Sequence, residues 1–365
     1  MNNFKKIGLT ALAGSLVTLG ATAGEMSVSG SVNTTLKFGD GGGNTGRSIG
    51  ADRDVTFSGG GELDNGTTFS VSTTTNDDLG LSASTTTIST PSLGAFTFGA
   101  GTGGHSGKYD EEVPQAYEQI SDANGSEMAN AVGNFLDQNF VGYTSPTLDL
   151  MGATVTAHLE YSPMASDETG AASDGGQATY DATVGAAKSL GLTIGYEGLK
   201  LGFYGAERER TVPFTKVASG ANYQHDEFNG VWYAKYSVGP VSVGYSESYM
   251  DAGITKDDSA HINAAKGLRT SGGIFTGEQM SIAFNVNDNM SISYTTSDET
   301  FDSQDDAKTA VTTDDDVTES IDAVQVAYSM GGMSIKAYNM EITNPKQDDN
   351  AADQSVTEIA LGFAF

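Results

Sequence analysis

The sequence predicts an all-β chain: a transmembrane, antiparallel up-and-down β-barrel of 16 strands. Three observations predict it. Apolar residues recur at every second position in stretch after stretch, which is the signature of strands with two unlike faces. Short turns and long polar connections alternate strictly along the chain. After residue 23, no apolar run approaches the roughly 18 residues that a membrane helix requires, so any crossing must be made by strands.

Taken in order, residues 1–23 read as a secretory signal peptide: Lys5 and Lys6, an apolar run from Ile7 to Leu19, then Ala21-Thr22-Ala23 as the cleavage site. Residues 24–365 then form the barrel domain. Its first strand, "EMSVSGSVNTTLKFGD", sets Met26, Val28, Val32, Leu36 and Phe38 against Ser27, Ser29, Ser31, Asn33, Thr35 and Lys37. The pattern returns in "GATVTAHLEY", where Val155, Ala157, Leu159 and Tyr161 oppose Thr154, Thr156, His158 and Glu160. Tight turns are expected at 63–66, 91–94, 146–152, 197–199, 238–240, 287–289 and 331–332. Between them come connections near 39–51, 77–78, 101–138, 163–178, 210–221, 251–273, 301–319 and 344–354, all but the second extended and rich in Asp, Gly, Ser and Thr. That partition gives 16 strands, with both ends of the domain on the turn side. Lys188 falls on the apolar parity of a 179–196 strand, Arg53 on the apolar parity near a strand end, and Thr73, Thr75, Thr85 and Thr87 soften the outer face of the third and fourth strands. The last strand, "VTEIALGFAF", places Ile359, Leu361, Phe363 and Phe365 on one face and Glu358, Ala360, Gly362 and Ala364 on the other.

Composition narrows the functional classes. A formal charge of -29 argues against nucleic acid, whose phosphates would be repelled, and favours cations. The absence of Cys removes disulfide and thiolate chemistry. A hydrophobic content of 38% is low for a large packed core, yet 16 Phe and 15 Tyr in regular alternation are unlike a disordered chain. Closing a sheet of this size removes its free edges, and sixteen strands leave an aqueous lumen. The polar parity is then the wall of a water-filled hole.

Taken together, the leader "KKIGLTALAG", the opening strand "MSVSGSV", the alternating hairpins and the terminal "ALGFAF" resemble general-diffusion porins of the Gram-negative outer membrane, of the alphaproteobacterial type. The resemblance implies a multi-pass outer-membrane homotrimer of independent pores, with periplasmic turns and extracellular loops. It implies contacts with outer-membrane lipid and lipopolysaccharide, and a terminal signal, Phe363 and Phe365, read by the β-barrel assembly machinery. It also implies that the long third loop folds into the lumen. The matching segment, 101–138, carries Asp110, Glu111, Glu112, Glu118, Asp122, Glu127 and Asp137 against Lys108. Acids in a narrow lumen would concentrate cations and repel anions. On the inward parity of the wall the sequence supplies Lys37, Lys235, Lys336, Arg208, His158 and Glu160. The basic cluster usual in the family is thin here, which favours a cation-preferring pore for small hydrophilic solutes.

Other signals carry less. "GAGTGG" at 99–104 matches a dinucleotide fingerprint, but no helix pattern follows it and glycines number 47. Asp314, Asp315 and Asp316 form an oxygen cluster suited weakly to Ca²⁺ or Mg²⁺, without the spacing of a dedicated calcium loop; otherwise no cofactor is expected. The four histidines are scattered and lie in no metal or hydrolase motif, so no enzymatic activity is expected. Two alternatives remain: a substrate-selective outer-membrane channel, and a secreted acidic β-rich adhesin or binding module.

Overall fold

The protein is described by a computed structural model covering residues 26–41, 45–77, 79–101, 104–121, 132, 134–136, 139–163, 165, 184–210, 216–217, 220–221, 223–251, 254–255, 274–302 and 316–365. The leader, Asp122, Glu127, Asp137, Asp314 and Asp315 lie outside the described residues. Asp316, just before a strand, is exposed.

The wall begins with β1 (Met26–Asp40), β2 (Gly46–Glu62), β3 (Thr68–Thr75), β4 (Leu81–Thr90) and β5 (Gly94–Ala100). It continues with β6, in two pieces (Asn139–Thr144 and Leu148–Leu150), then β7 (Ala153–Ser162), β8 (Val184–Tyr196), β9 (Leu199–Arg210) and β10 (Glu227–Val238). The last six are β11 (Val241–Asp251), β12 (Ile274–Asn287), β13 (Met290–Asp302), β14 (Val317–Met330), β15 (Met333–Thr343) and β16 (Gln354–Ala364). Each pairs antiparallel with its neighbours, and β16 pairs with β1 from Asp40↔Ser355 to Ser31↔Ala364, so 16 strands close into a barrel with no free edge. No helix of the described residues is long and apolar enough to cross a membrane.

Alternation decides which way each strand faces. Val28, Leu36, Phe96, Phe203, Ile282, Tyr294, Val324 and Phe363 are exposed members of a large apolar set, all on one parity. The opposite parity is buried or polar: Ser293, Thr295, Gln325, Glu358 and Ala360 are nearly inaccessible. An apolar outside around a polar inside inverts the arrangement of a water-soluble protein and matches a barrel whose outer face meets lipid.

Several boundaries differ from the sequence expectation. The first long connection shrinks from 39–51 to 41–45, because residues read as loop stay in register with β1 (Gly39↔Gly46, Val32↔Arg53). Arg53 therefore sits mid-strand on the outer face, and Arg47 lies with its guanidinium 6.0 Å from the Phe38 ring centroid. The turn expected at 146–152 contracts to Met151-Gly152, since Leu148–Leu150 still pair with β7. Pro146 has no N–H to give the ladder and marks the break in β6. Met151-Gly152 and Glu197-Gly198 have positive φ at both positions, the geometry of a two-residue hairpin turn. Thr85 and Thr87 face inward, not outward. A register shift between Thr74 and Thr75 inserts one residue near Ser82, so that outward parity passes from Leu81 to Ser84, Thr86 and Ile88. Lys188 does face outward, where it pairs with Glu207 at 2.9 Å. Residues 179–183 of its predicted strand lie outside the described residues.

The seam reaches the last residue. Gly30 N–H donates to the Phe365 carbonyl at 2.8 Å, and Phe365 N–H donates back at 3.0 Å. A Cβ on Gly30 would meet the Phe365 ring at 2.8 Å, so the ring lies against that glycine. Replacing Gly30 with Leu is expected to push the ring off and loosen the seam by about 1–3 kcal/mol, the usual cost of overpacking. The check is the temperature at which the folded, fast-migrating gel band converts to the unfolded one. It should fall for Gly30→Leu and stay put for a control substitution at exposed Asp349.

Candidate functional site

Residues 105–118 form one continuous line of contact with the polar parity of eleven consecutive strands, β6 to β16. Its first part is a single 3₁₀ turn, Ser106–Lys108, and no strand follows within it. The line starts on β6, where the Thr144 hydroxyl lies 3.4 Å from His105 Nε2. On β7 the His105 N–H donates to Glu160 and the Tyr109 hydroxyl lies 2.5 Å from His158 Nδ1. Glu160 also accepts from Ser189 of β8 at 2.6 Å and Tyr204 of β9 at 3.4 Å. Tyr109 stacks on Tyr204 with ring centroids 5.1 Å apart, over Gly191 of β8, where a Cβ would collide with the Tyr109 ring. Further along, Pro114 packs against Gly244 of β11 and its carbonyl accepts from Ser281 of β12. Ala116 N–H donates to Ser293 of β13 at 2.9 Å, and Tyr117 N–H to Gln325 of β14 at 2.7 Å. The Tyr117 hydroxyl ends the line on Glu358 of β16 at 2.7 Å, a carboxylate that also accepts from Tyr338 of β15 at 3.2 Å. Burial raises both Tyr109 and Tyr117 well above the usual phenol range, so each keeps its proton and donates.

The charges are arranged differently from the sequence expectation. Glu112 is not an open acid: Lys200 of β9, at 3.3 Å, and Lys235 of β10 both donate to its Oε2. Those two lysines are directly opposite each other across the ladder, a like-charge pairing that disfavours the sheet until a carboxylate sits between them. Lys200 escaped the sequence reading because it stands next to a turn. Its parity, opposite to Leu199, Leu201 and Phe203, was the available signal. Arg208 is no lumenal cation either. Its guanidinium is 3% exposed, bonds Glu227 through Nε at 3.0 Å and NH2 at 2.5 Å, donates to the Ala165 carbonyl and covers the Phe135 ring at 4.9 Å. Removing either partner would strand the other charge, at a cost of about 3–5 kcal/mol. Lys336 lies 5.3 Å from the Tyr117 ring centroid. Lys37 stands directly opposite Glu358 across the β1–β16 seam. Glu111 is buried with φ at 42°, Asp110 is half-buried and Glu118 offers its carbonyl to Gln325 at 2.7 Å. His158 and Glu160 are buried beneath the segment rather than lining open space. Among the described residues, no group of three or more His, Cys, Asp or Glu is placed to hold a metal ion.

Across from this line stand the inner faces of β1 to β5. They carry Ser31, Asn33, Thr35, Asp52, Asp54, Thr56, Ser72, Thr74, Thr85, Thr87 and Thr97, a surface of hydroxyls with two carboxylates on β2. Thr56 and Thr74 share a hydrogen bond of 2.9 Å, and Thr87 and Thr97 one of 3.1 Å.

His105 gives this site a pH dependence. Burial, then His158, then Lys108 lower its pKa to about 4, while a bond with the Tyr143 backbone raises it slightly. A free histidine titrates near 6.5. Between those values the docked state binds fewer protons than the released one, so docking strengthens as pH rises and is lost as pH falls from about 6.5 to about 4. Protease cleavage within residues 104–121 is expected to accelerate over that interval, and His105→Gln should flatten the profile.

No protein-family model matches the chain. No curated protein sequence matches it either. Solved structures do. The Salmonella typhi OmpF complex with daunomycin aligns at a TM-score of 0.65 with 9% identity, over 94% of this chain and 98% of that one. The outer-membrane channel DcaP of Acinetobacter baumannii aligns at 0.61 with 11% identity, over 94% and 98%. The trimer form of OmpT, an outer-membrane protein of Vibrio cholerae, aligns at 0.58 with 13% identity, over 94% and 100%. At these identities the likeness is one of fold, and it spans nearly the full length of both partners. The chain has the closed, 16-stranded fold of general-diffusion porins.

Proposed function

We propose that residues 24–365 form an outer-membrane channel for passive diffusion of small hydrophilic solutes and ions, weakly cation-preferring, delivered by residues 1–23 as a signal peptide. The observation that carries this reading is the line of contacts from His105 to Tyr117 along the polar parity of β6 to β16. Such a segment lies inside the lumen as a belt against one half of the wall and narrows the hole to the space facing β1 to β5. Hydroxyls on that open side replace the hydration of sugars and other neutral polar solutes without holding them. On the inner parity of β1 to β5 the cation beside Asp52 and Asp54 is Lys37, which faces Glu358, while Arg47 and Arg53 are on the outer parity, so the open side is acidic. The preference is weak because Lys200 and Lys235 neutralise Glu112 on the other side.

The reading extends to a homotrimer in outer-membrane lipid and lipopolysaccharide, built by the β-barrel assembly machinery from the Phe363 and Phe365 end. The trimer form among the similar structures supports the first part. Asp314, Asp315 and Asp316, of which Asp316 is exposed next to β14, are kept as candidates for loosely held Ca²⁺ or Mg²⁺.

Planar-bilayer recording in a salt gradient tests the channel. A reversal potential showing modest cation preference is expected; anion preference would remove the charge argument, and absence of conductance would remove the channel. Asp52→Asn with Asp54→Asn should shift the potential toward neutrality, while Lys235→Met should raise cation preference by removing one of the two positive charges around Glu112. Deleting Phe365 is expected to lower the yield of folded barrel far more than the conductance of each pore.

A further inference from the structure

The outer wall is not uniform. Over β7 to β13 it sinks into a concavity of about 1270 Å³. Its floor comes from two glycines, Gly205 of β9 and Gly230 of β10, directly opposite each other in the ladder and both on the outward parity. Neither contributes a side chain, and the Phe228 ring lies beside both, 3.3 Å from where a Cβ of Gly230 would stand and 3.7 Å from that of Gly205, so the row between Leu190 of β8 and Tyr249 of β11 is low and apolar. Leu192, Phe203 and Trp232 form the next row toward the turn side. This half of the concavity is oily.

The other half is acidic. In the same row as Trp232, the successive strands β11, β12 and β13 present Glu247, Glu278 and Asp298 outward, each directly opposite the next. Like charges in directly opposed positions destabilise a sheet, and charges on a lipid-facing wall add a further cost. The first carboxylate is also fixed in place. Glu247 accepts from the Trp232 indole N–H at 2.9 Å and from the Tyr245 hydroxyl at 2.7 Å. Ser320 holds Asp298 at 2.5 Å. Among the described residues lining the concavity the one cation is Lys188, which is already paired with Glu207 at 2.9 Å. The concavity is thus amphiphilic along its length, with an apolar half over β7 to β10 and an unneutralised acidic half over β11 to β13.

We propose that this concavity binds a lipid-like amphiphile bearing a primary ammonium group, its chain over Gly205 and Gly230 and its ammonium among Glu247, Glu278 and Asp298. Charge complementarity selects this occupant. A phosphate headgroup would be repelled by three adjacent carboxylates, and a neutral chain would leave their mutual repulsion in place. The proposal rests on the reading of the outer face as membrane-covered.

Trp232 makes the site directly observable, because it is the single tryptophan of the chain and lines the concavity. The full-length barrel is placed in vesicles of an unlabelled choline lipid, doped with lipids brominated in the chain, which quench a neighbouring indole. One carries a primary ammonium headgroup, one an anionic glycerol headgroup on the same chains, and one a choline headgroup. Quenching of Trp232 by the ammonium lipid is expected at about one fifth of the concentration needed for the other two, the order of one ion pair near a membrane surface. Glu278→Gln with Asp298→Asn should abolish the difference while leaving the Glu247 contact to the indole. Gly205→Leu, which fills the floor, should reduce quenching by the ammonium lipid, with heat-modifiable gel migration confirming that each variant is folded. Equal quenching by all three lipids would overturn the site and leave ordinary boundary lipid. Preference for the anionic lipid, removed by a chelator, would overturn it in favour of a divalent bridge. No quenching by any of them would instead remove the membrane reading on which the site rests.

Discussion

Every other feature of this molecule depends on one constraint: the last strand must find the first. In a hydrocarbon environment an unmatched row of backbone N–H and C=O groups costs several kcal/mol per group, so an open sheet of this length has no stable form there. The ladder between β1 and β16 removes both edges at once, and the two bonds between Gly30 and Phe365 carry it to the final residue. Once the wall is closed, alternation assigns every side chain to lipid or to water. The low apolar content, the glycine abundance and the exposed aromatics then stop being anomalies of composition.

Closure also explains why the interior is polar yet tightly built in one half. An inner surface made of strand residues alone would be a smooth, wet tube. Here a segment of the longest connection covers eleven strands, held by a series of modest hydrogen bonds and by two buried apolar clusters, around Tyr109 and around Tyr117. Small residues make it possible. Gly191 and Gly244 have no Cβ where Tyr109 and Pro114 approach the wall, so the segment lies close enough for its backbone to reach Ser281 and Ser293. The phenols of Tyr109 and Tyr117 act at the two ends of the covered arc, one on β7 and one on β16.

Much of the architecture was legible in the order of residues, because period-two alternation and turn chemistry are local. The strand number, the position of the long third connection and the facing of "IALGF" in β16 all follow from side chains a few positions apart. What was not legible depended on partners distant in sequence. Lys200 and Lys235 look like unrelated cations until the β9–β10 register sets them opposite each other around Glu112. Arg208 looks like a lumenal charge until Glu227 is found beside it. Thr85 was misplaced by one residue's shift at the β3–β4 pairing, where counting by two fails silently. Residues 46–51 differ for the opposite reason: their composition reads as a connection, and cross-strand pairing with β1 keeps them in β2, which moves Arg53 from a strand end to mid-strand.

The bond from Tyr117 to Glu358 joins residues 241 positions apart. Contacts of that separation form late, since the loop-closure entropy must be met before they return anything. The Tyr117 backbone can already meet Gln325 of β14 and its ring Tyr338 of β15, but its hydroxyl has its carboxylate only once β16 is in place. The strand that seals the wall thus also completes the hold on the segment lying against it, and a fault in the seam would be felt at both.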